Sequence, residues 1–94
     1  MRVYLSGPIS NNPTYIEDFY GTEELLIKQG LEVINPVRVS DAFGGLSYEE
    51  YIKLDLMLLE MCDAIFMLDG WQGSRGAKLE YHYANIMQKQ IIQK

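Results

Sequence analysis

The sequence is poor in the residues that build disulfides and metal sites. Its one cysteine, Cys62, has no partner within the chain, and no CxxC pair occurs. A single histidine, His82, argues equally against a structural zinc site. Basic residues are scarce: eight Lys and Arg stand against thirteen Asp and Glu, for a formal net charge of -5. That balance disfavours a nucleic-acid polymer as partner, because polyanion binding needs a clustered positive face. It leaves room for a small phosphorylated ligand held at a helix N-terminus. No run reaches the ~18 apolar residues of a membrane span. The N-terminus enters a strand-like run with no charged, apolar leader before it. The expectation is a cytoplasmic protein with no metal, no cofactor and no membrane partner.

What the chain does have is a regular alternation of short apolar runs and amphipathic segments. Its 94 residues, 48% apolar, suit one domain spanning 1–94 with a modest core. Val3-Tyr4-Leu5 reads as a strand ended by Gly7-Pro8. After a polar loop from Ile9 to Asn12, apolar residues recur at Tyr15, Ile16, Phe19, Tyr20, Leu26 and Ile27, a helical pattern that Gly30 closes. Leu31 to Asn35 reads as a second strand closed by Pro36, and Val37 to Leu46 as a mobile loop. Ser47 and Glu50 form a capping-box signature for a helix running to about Met61. Ala64 to Leu68 is a continuous apolar run, as expected of a central parallel strand buried on both faces. Asp69 to Arg75 is a loop, Gly76 to Gln88 a helix, and Gln90-Ile91-Ile92 a last short strand.

This β-α alternation predicts an α/β fold. It is a small three-layer, Rossmann-like or flavodoxin-like arrangement with a four- to five-stranded parallel sheet. Ligands in such sheets sit at the carboxyl ends of the strands. Three loops therefore converge there: 7–12, 35–46 and 69–75. A sheet this small, with an exposed edge, gains from self-association, so a homodimer or higher homo-oligomer is expected.

Several residues at that end could carry chemistry. Glu80 lies one turn into the last helix, four residues after Gly76 and on roughly the same face. Its carboxylate could reach a ligand over the loop, or be a solvated helix glutamate beside Lys78. Gly76 lets a ligand approach the backbone, and Ser74 can cap the helix or bind a phosphate. Asp55 is surrounded by apolar residues. It either faces the pocket with a perturbed pKa or lies on an exposed stripe with Lys53 or Glu60. Asp69 could touch the pocket or simply make a turn with Gly70, and Asp63, at the other end of its strand, reads as a turn residue. Tyr4 is either core or pocket wall. Trp71 reads as an exposed loop aromatic. Arg75 and Arg38 are candidate anion partners or ordinary surface charges.

The motifs Tyr4-Leu5-Ser6-Gly7-Pro8-Ile9, Asp55-Leu56, Cys62-Asp63-Ala64-Ile65 and Ser74-x-Gly76-x-x-x-Glu80-Tyr81-x-x-Ala84 run in this order over nearly the whole chain. Together they resemble the nucleoside 2-deoxyribosyltransferase-like superfamily, in a small branch found in bacteria and their phages. The resemblance implies cleavage of the N-glycosidic bond of a nucleoside or nucleotide through a covalent glycosyl-enzyme intermediate. It implies Glu80 as nucleophile, Asp55 holding the sugar hydroxyls and orienting Glu80, and Tyr4 orienting the nucleophile. Gly7 and Ile9 would shape the pocket. Ser10, Asp69, Ser74, Arg75 and Gly76 complete the expected substrate-binding set.

One position separates activities within the superfamily. Transferases carry an aspartate six residues before the nucleophile, whereas hydrolases of deoxynucleoside 5′-monophosphates carry a serine that binds phosphate. Ser74 stands there, which tilts the expectation to nucleotides and hydrolysis. The hydrolases also carry an arginine where this chain has Ser10, and their partner-subunit contribution would fall beyond Lys94. These departures keep other readings open: a nucleotide-binding or sequestering protein without turnover, including a phage-related one, a nucleoside deoxyribosyltransferase, or an interaction domain that has lost the site.

Overall fold

A computed structural model describes residues 1–93. Its elements in chain order are β1 (Arg2–Ser6), α1 (Tyr15–Lys28), β2 (Glu32–Ile34), α2 (Pro36–Ser40), α3 (Tyr48–Glu60), β3 (Ala64–Met67), α4 (Arg75–Ile86) and β4 (Gln90–Gln93). A single 3₁₀ turn, Trp71–Gly73, joins β3 to α4. The four strands form one parallel sheet in the order β2-β1-β3-β4. That is the α/β arrangement predicted from the alternation, with β1 and β3 in the centre.

The central strands are apolar throughout because both faces are covered. Alternate residues serve opposite layers. Val3, Leu5, Ala64, Phe66 and Leu68 pack under α1 with Phe19 and Leu26. Tyr4, Ile65 and Met67 pack under α3 and α4 with Leu59, Cys62, Ala77 and Ala84. Burial in this second layer pushes the Cys62 thiol up to about 11, so it stays protonated. Alanines at 77 and 84 let α4 lie close to the sheet. No helix among the described residues is long and apolar enough to cross a membrane.

Local signals explain most boundaries. Ser47 accepts from the Glu50 backbone N–H at 3.1 Å, and the Glu50 carboxylate accepts from the Ser47 backbone N–H at 2.8 Å. The capping box thus starts α3 as its sequence predicts. Gly7 follows β1 where a Cβ would stand 2.8 Å from Leu68 Cβ, so only glycine fits there. Asp63 accepts from the Arg2 backbone N–H at 2.8 Å and ties the amino ends of β1 and β3 together.

Three expectations are corrected. The stretch after β2 is not all loop, because Pro36 opens α2 rather than merely closing the strand. Asn35 caps this helix by accepting from the Val37 N–H at 3.0 Å, and proline suits a first helical position. Ile16 and Ile27 are not on the buried stripe of α1 but exposed, whereas Glu23 of that helix is buried. Glu23 is tolerated inside because Arg38 of α2 pairs with it, with the guanidinium lying 4.7 Å over the Tyr20 ring. Trp71 is not an exposed loop aromatic but half-buried. The 3₁₀ turn folds it back so that its ring stacks on Tyr81 at 4.6 Å, against the α3/α4 side of the core.

Candidate functional site

At the carboxyl ends of the strands lies a cavity of about 680 Å³. Its size and mixed lining suit a small molecule. Gly7, Ile9, Ser10 and Asn11 line it from the loop after β1, and Pro36 and Ser40 from α2. Tyr48, Tyr51, Ile52 and Asp55 line it from α3, spaced so that one stripe of the helix faces inward. Gly73, Ser74, Arg75 and Gly76 supply the start of α4. Tyr51 also donates its hydroxyl to the Phe43 carbonyl at 2.9 Å and so pins the segment between α2 and α3.

Ser74 is the N-cap of α4. Its hydroxyl oxygen accepts from the Ala77 N–H at 3.2 Å, which leaves its own proton free to donate. The positive end of a twelve-residue helix dipole therefore opens into the cavity beside Arg75, the one basic residue of the lining among the described residues. A Cβ on Gly76 would meet only Ile52 Cδ1 and the Tyr48 hydroxyl, both at 3.9 Å. No protein atom demands glycine there, so its effect is to leave space in the cavity.

Beneath this lining lies Glu80. It is not a solvated helix glutamate beside Lys78: it is only 6% exposed, on the face of α4 that carries Ala77 and Ala84. The Tyr4 hydroxyl donates to its Oε2 at 2.7 Å and the Ser6 hydroxyl to its Oε1 at 2.6 Å. Burial pushes the Glu80 carboxyl up to about 7, against the two hydroxyl contacts, which favour the charged form. Asp55 is half-buried, not on the exposed stripe with Lys53 and Glu60. Burial and then the nearby Glu80 charge raise it to about 7. The Tyr4 phenol, wholly buried and facing both carboxyls, is held well above its ordinary value and stays protonated. Two carboxyls from different helices are thus both raised towards neutrality, a perturbation that marks them as candidate functional groups.

The structure brings Gly7, Ile9, Ser10, Asp55, Ser74, Arg75 and Gly76 to the cavity, with Glu80 and Tyr4 beneath it. It does not bring Asp69 there. The chain turns at Gly70, with φ of 84°, and Asp69 falls on the α1 side of the sheet in a small recess with Asp18 and Thr22. Arg38 is likewise taken up by Glu23 and Tyr20. The sequence did not single out Ser6 as a site residue, nor Tyr48, Tyr51 and Ile52. Ser6 was detectable, since a strand places residues 4 and 6 on one face. No group of three or more His, Cys, Asp or Glu able to hold a metal occurs among the described residues.

The chain belongs to the family described as a domain of unknown function, DUF4406, whose pattern matches residues 1–93. Among curated proteins no sequence matches it. Among solved structures it is similar to the Clostridium botulinum CMP N-glycosidase BcmB. The two are 25% identical with a TM-score of 0.72, over 99% of this chain and 70% of that one. It also shares the fold of a 2-desoxiribosyltransferase from Leishmania mexicana, at 18% identity and a TM-score of 0.72. That match covers 98% of this chain and 62% of the length of the Leishmania protein. Both neighbours are of the nucleoside 2-deoxyribosyltransferase-like superfamily, so the fold expected from the motifs is the fold observed.

Proposed function

We propose that this protein is an N-glycosidase that hydrolyses nucleoside or deoxynucleoside 5′-monophosphates. The observation that carries the reading is the Glu80 carboxylate, buried beneath a ligand-sized cavity and gripped by the Tyr4 and Ser6 hydroxyls. The likeness to a CMP N-glycosidase supports it. In the first step a Glu80 oxygen bonds to the anomeric carbon and the bond to the base nitrogen breaks. The base leaves with that electron pair and takes up a proton. In the second step water attacks the same carbon, the ester to Glu80 breaks, and the sugar phosphate is released. Asp55 holds the sugar hydroxyls at the cavity wall. The phosphate sits at the start of α4, on Ser74 and Arg75.

Binding without turnover is the competing reading. One observation favours it: Glu80 lies behind the cavity lining rather than in it. Incubation with a panel of nucleoside 5′-monophosphates, with free base followed by chromatography, separates the two. Base release that disappears in Glu80→Ala supports the enzyme. A nucleotide that raises the melting temperature with no base released supports the binder.

We further infer that the chain acts as a single domain and self-associates. Met57 on α3, Met61 just past its end, and Leu79 and Ile86 on α4 present exposed apolar surface that a second copy would cover. Light scattering that reads only monomer at micromolar concentration would count against this.

A further inference from the structure

This inference rests on Glu80 as the nucleophile. Ser6 is the last residue of β1 and is 1% exposed. Its hydroxyl spends its hydrogen bond on Glu80 Oε1 alone, while Tyr4 takes Oε2. Both side chains project from one face of one strand, with their Cα atoms about 7 Å apart along it, and converge on the one carboxylate. They fix the carboxylate in rotation as well as in place. They also distinguish its oxygens. Gly7, which lines the cavity, follows Ser6 directly, whereas Tyr4 lies two residues deeper along β1. Oε1 is therefore the oxygen held by the residue that adjoins the cavity lining.

We propose that Ser6 is the positioning residue that presents Glu80 Oε1 to the anomeric carbon and stabilises that oxygen again as it leaves the glycosyl ester. In the first displacement an Oε1 lone pair forms the bond to carbon, and the C–N electron pair departs with the base. The Ser6 O–H then faces an ester oxygen, a weaker acceptor. In the second displacement water bonds to the carbon and sheds a proton to solvent. The C–Oε1 pair returns to Oε1 as negative charge, and the Ser6 O–H meets that charge. Without the hydroxyl, release of the sugar suffers more than attack on it, because Oε1 becomes a poorer leaving group.

The titratable groups facing Glu80 are Tyr4 from β1 and Asp55 from α3, with Cys62 beyond Tyr4. On its own helix Arg75 and Lys78 are exposed. Tyr4 and Cys62 stay neutral over the range tested, so among the described groups that face Glu80 it is Asp55 that titrates alongside it.

The test joins a titration to a rate. The δ-carbons of glutamate are labelled with ¹³C and the Glu80 signal, assigned by its loss in Glu80→Gln, is followed against pH in wild type, Ser6→Ala and Ser6→Thr. Base release from nucleoside 5′-monophosphates is followed from the first turnover. In Ser6→Ala the Glu80 midpoint should rise by about one pH unit. The base should appear as a burst of about one equivalent, followed by turnover about tenfold slower. Ser6→Thr, which keeps the hydroxyl, should restore both. If Ser6→Ala does not fold, Ser6→Cys keeps the volume, weakens the donor and is read in its place. An active wild type whose Glu80 midpoint does not move in Ser6→Ala, with both steps slowed alike, overturns the Ser6 role alone. A shifted midpoint with no base released by wild type overturns the glycosidase reading, and with it any role in attack.

Discussion

The Tyr4 hydroxyl reaches Glu80 Oε2 at 2.7 Å, although 76 residues of sequence separate the two. With the Ser6 hydroxyl on Oε1, the first strand and the last helix thereby share two polar contacts in the middle of an apolar layer. Such a contact offsets part of the cost of burying a carboxylate. Tyr4→Phe removes the donor and keeps the ring. It should cost about 1–2 kcal/mol in urea unfolding, because the acceptor is left half-satisfied. Base release should fall about tenfold, and its acid limb should move to higher pH, since the lost hydrogen bond favoured the charged form. A variant with unchanged pH dependence would mean that Tyr4 packs against Glu80 without tuning it.

The two carboxyls also set how stability depends on pH. Glu80 rises from 4.5 to about 7, mainly through burial, and Asp55 from 3.8 to about 7. In each case the folded state holds its proton more tightly than the unfolded chain. Their contribution is therefore fully present below about pH 4 and is lost as pH rises through about 7. At ~1.36 kcal/mol per pH unit, the Glu80 shift amounts to about 3 kcal/mol across that window. Melting temperatures should fall between pH 5 and 8 in wild type, and fall much less in Glu80→Gln. An equal slope in both proteins would assign the dependence elsewhere. Activity should run the opposite way and rise through about pH 7, because the nucleophile must be ionised.

The sequence announced some of this arrangement and concealed the rest for physical reasons. β3 was legible because a strand buried on both faces is apolar at every position. The Ser47–Glu50 box was legible because both partners are three residues apart. α2 was hidden because a proline after a strand signals an ending and a helix start equally well. On α1, Ile16 and Ile27 matched the helical period yet face outward, while Glu23 went inside on the strength of an arginine fifteen residues away. The site divides in the same way. Spacing on α4 could not tell Glu80 from a solvated glutamate, because what decides its state is two hydroxyls on β1. The motif resemblance supplied that pairing for Tyr4, and strand alternation extends it to Ser6. Asp69 misled because a residue just past a strand can turn to either side of the sheet.

Gly76 offers a test that separates space from stability. A Cβ there touches Ile52 and Tyr48 only at ordinary contact distance, within a helix where alanine is the better former. Gly76→Ala should therefore fold normally and gain up to about 1 kcal/mol. The added methyl projects into the cavity, so the melting-temperature rise given by nucleoside 5′-monophosphates should shrink. Unimpaired binding in this variant would move the ligand away from the start of α4.

Ser74 can be probed only by a change that keeps the cap. Ser74→Ala removes the acceptor of the Ala77 N–H, which costs about 1 kcal/mol in helix stability and confuses any loss of binding. Ser74→Asp retains an acceptor that caps at least as well, and places a negative charge where the phosphate is expected to sit. Its melting temperature should hold or rise while its affinity for a nucleoside 5′-monophosphate falls at least tenfold. Affinity for the matching nucleoside, which carries no phosphate, should change little, and Arg75→Ala should weaken the same nucleotide selectively. Equal losses for nucleotide and nucleoside in Ser74→Asp would place the phosphate elsewhere, because repulsion by the new carboxylate requires an anion beside it.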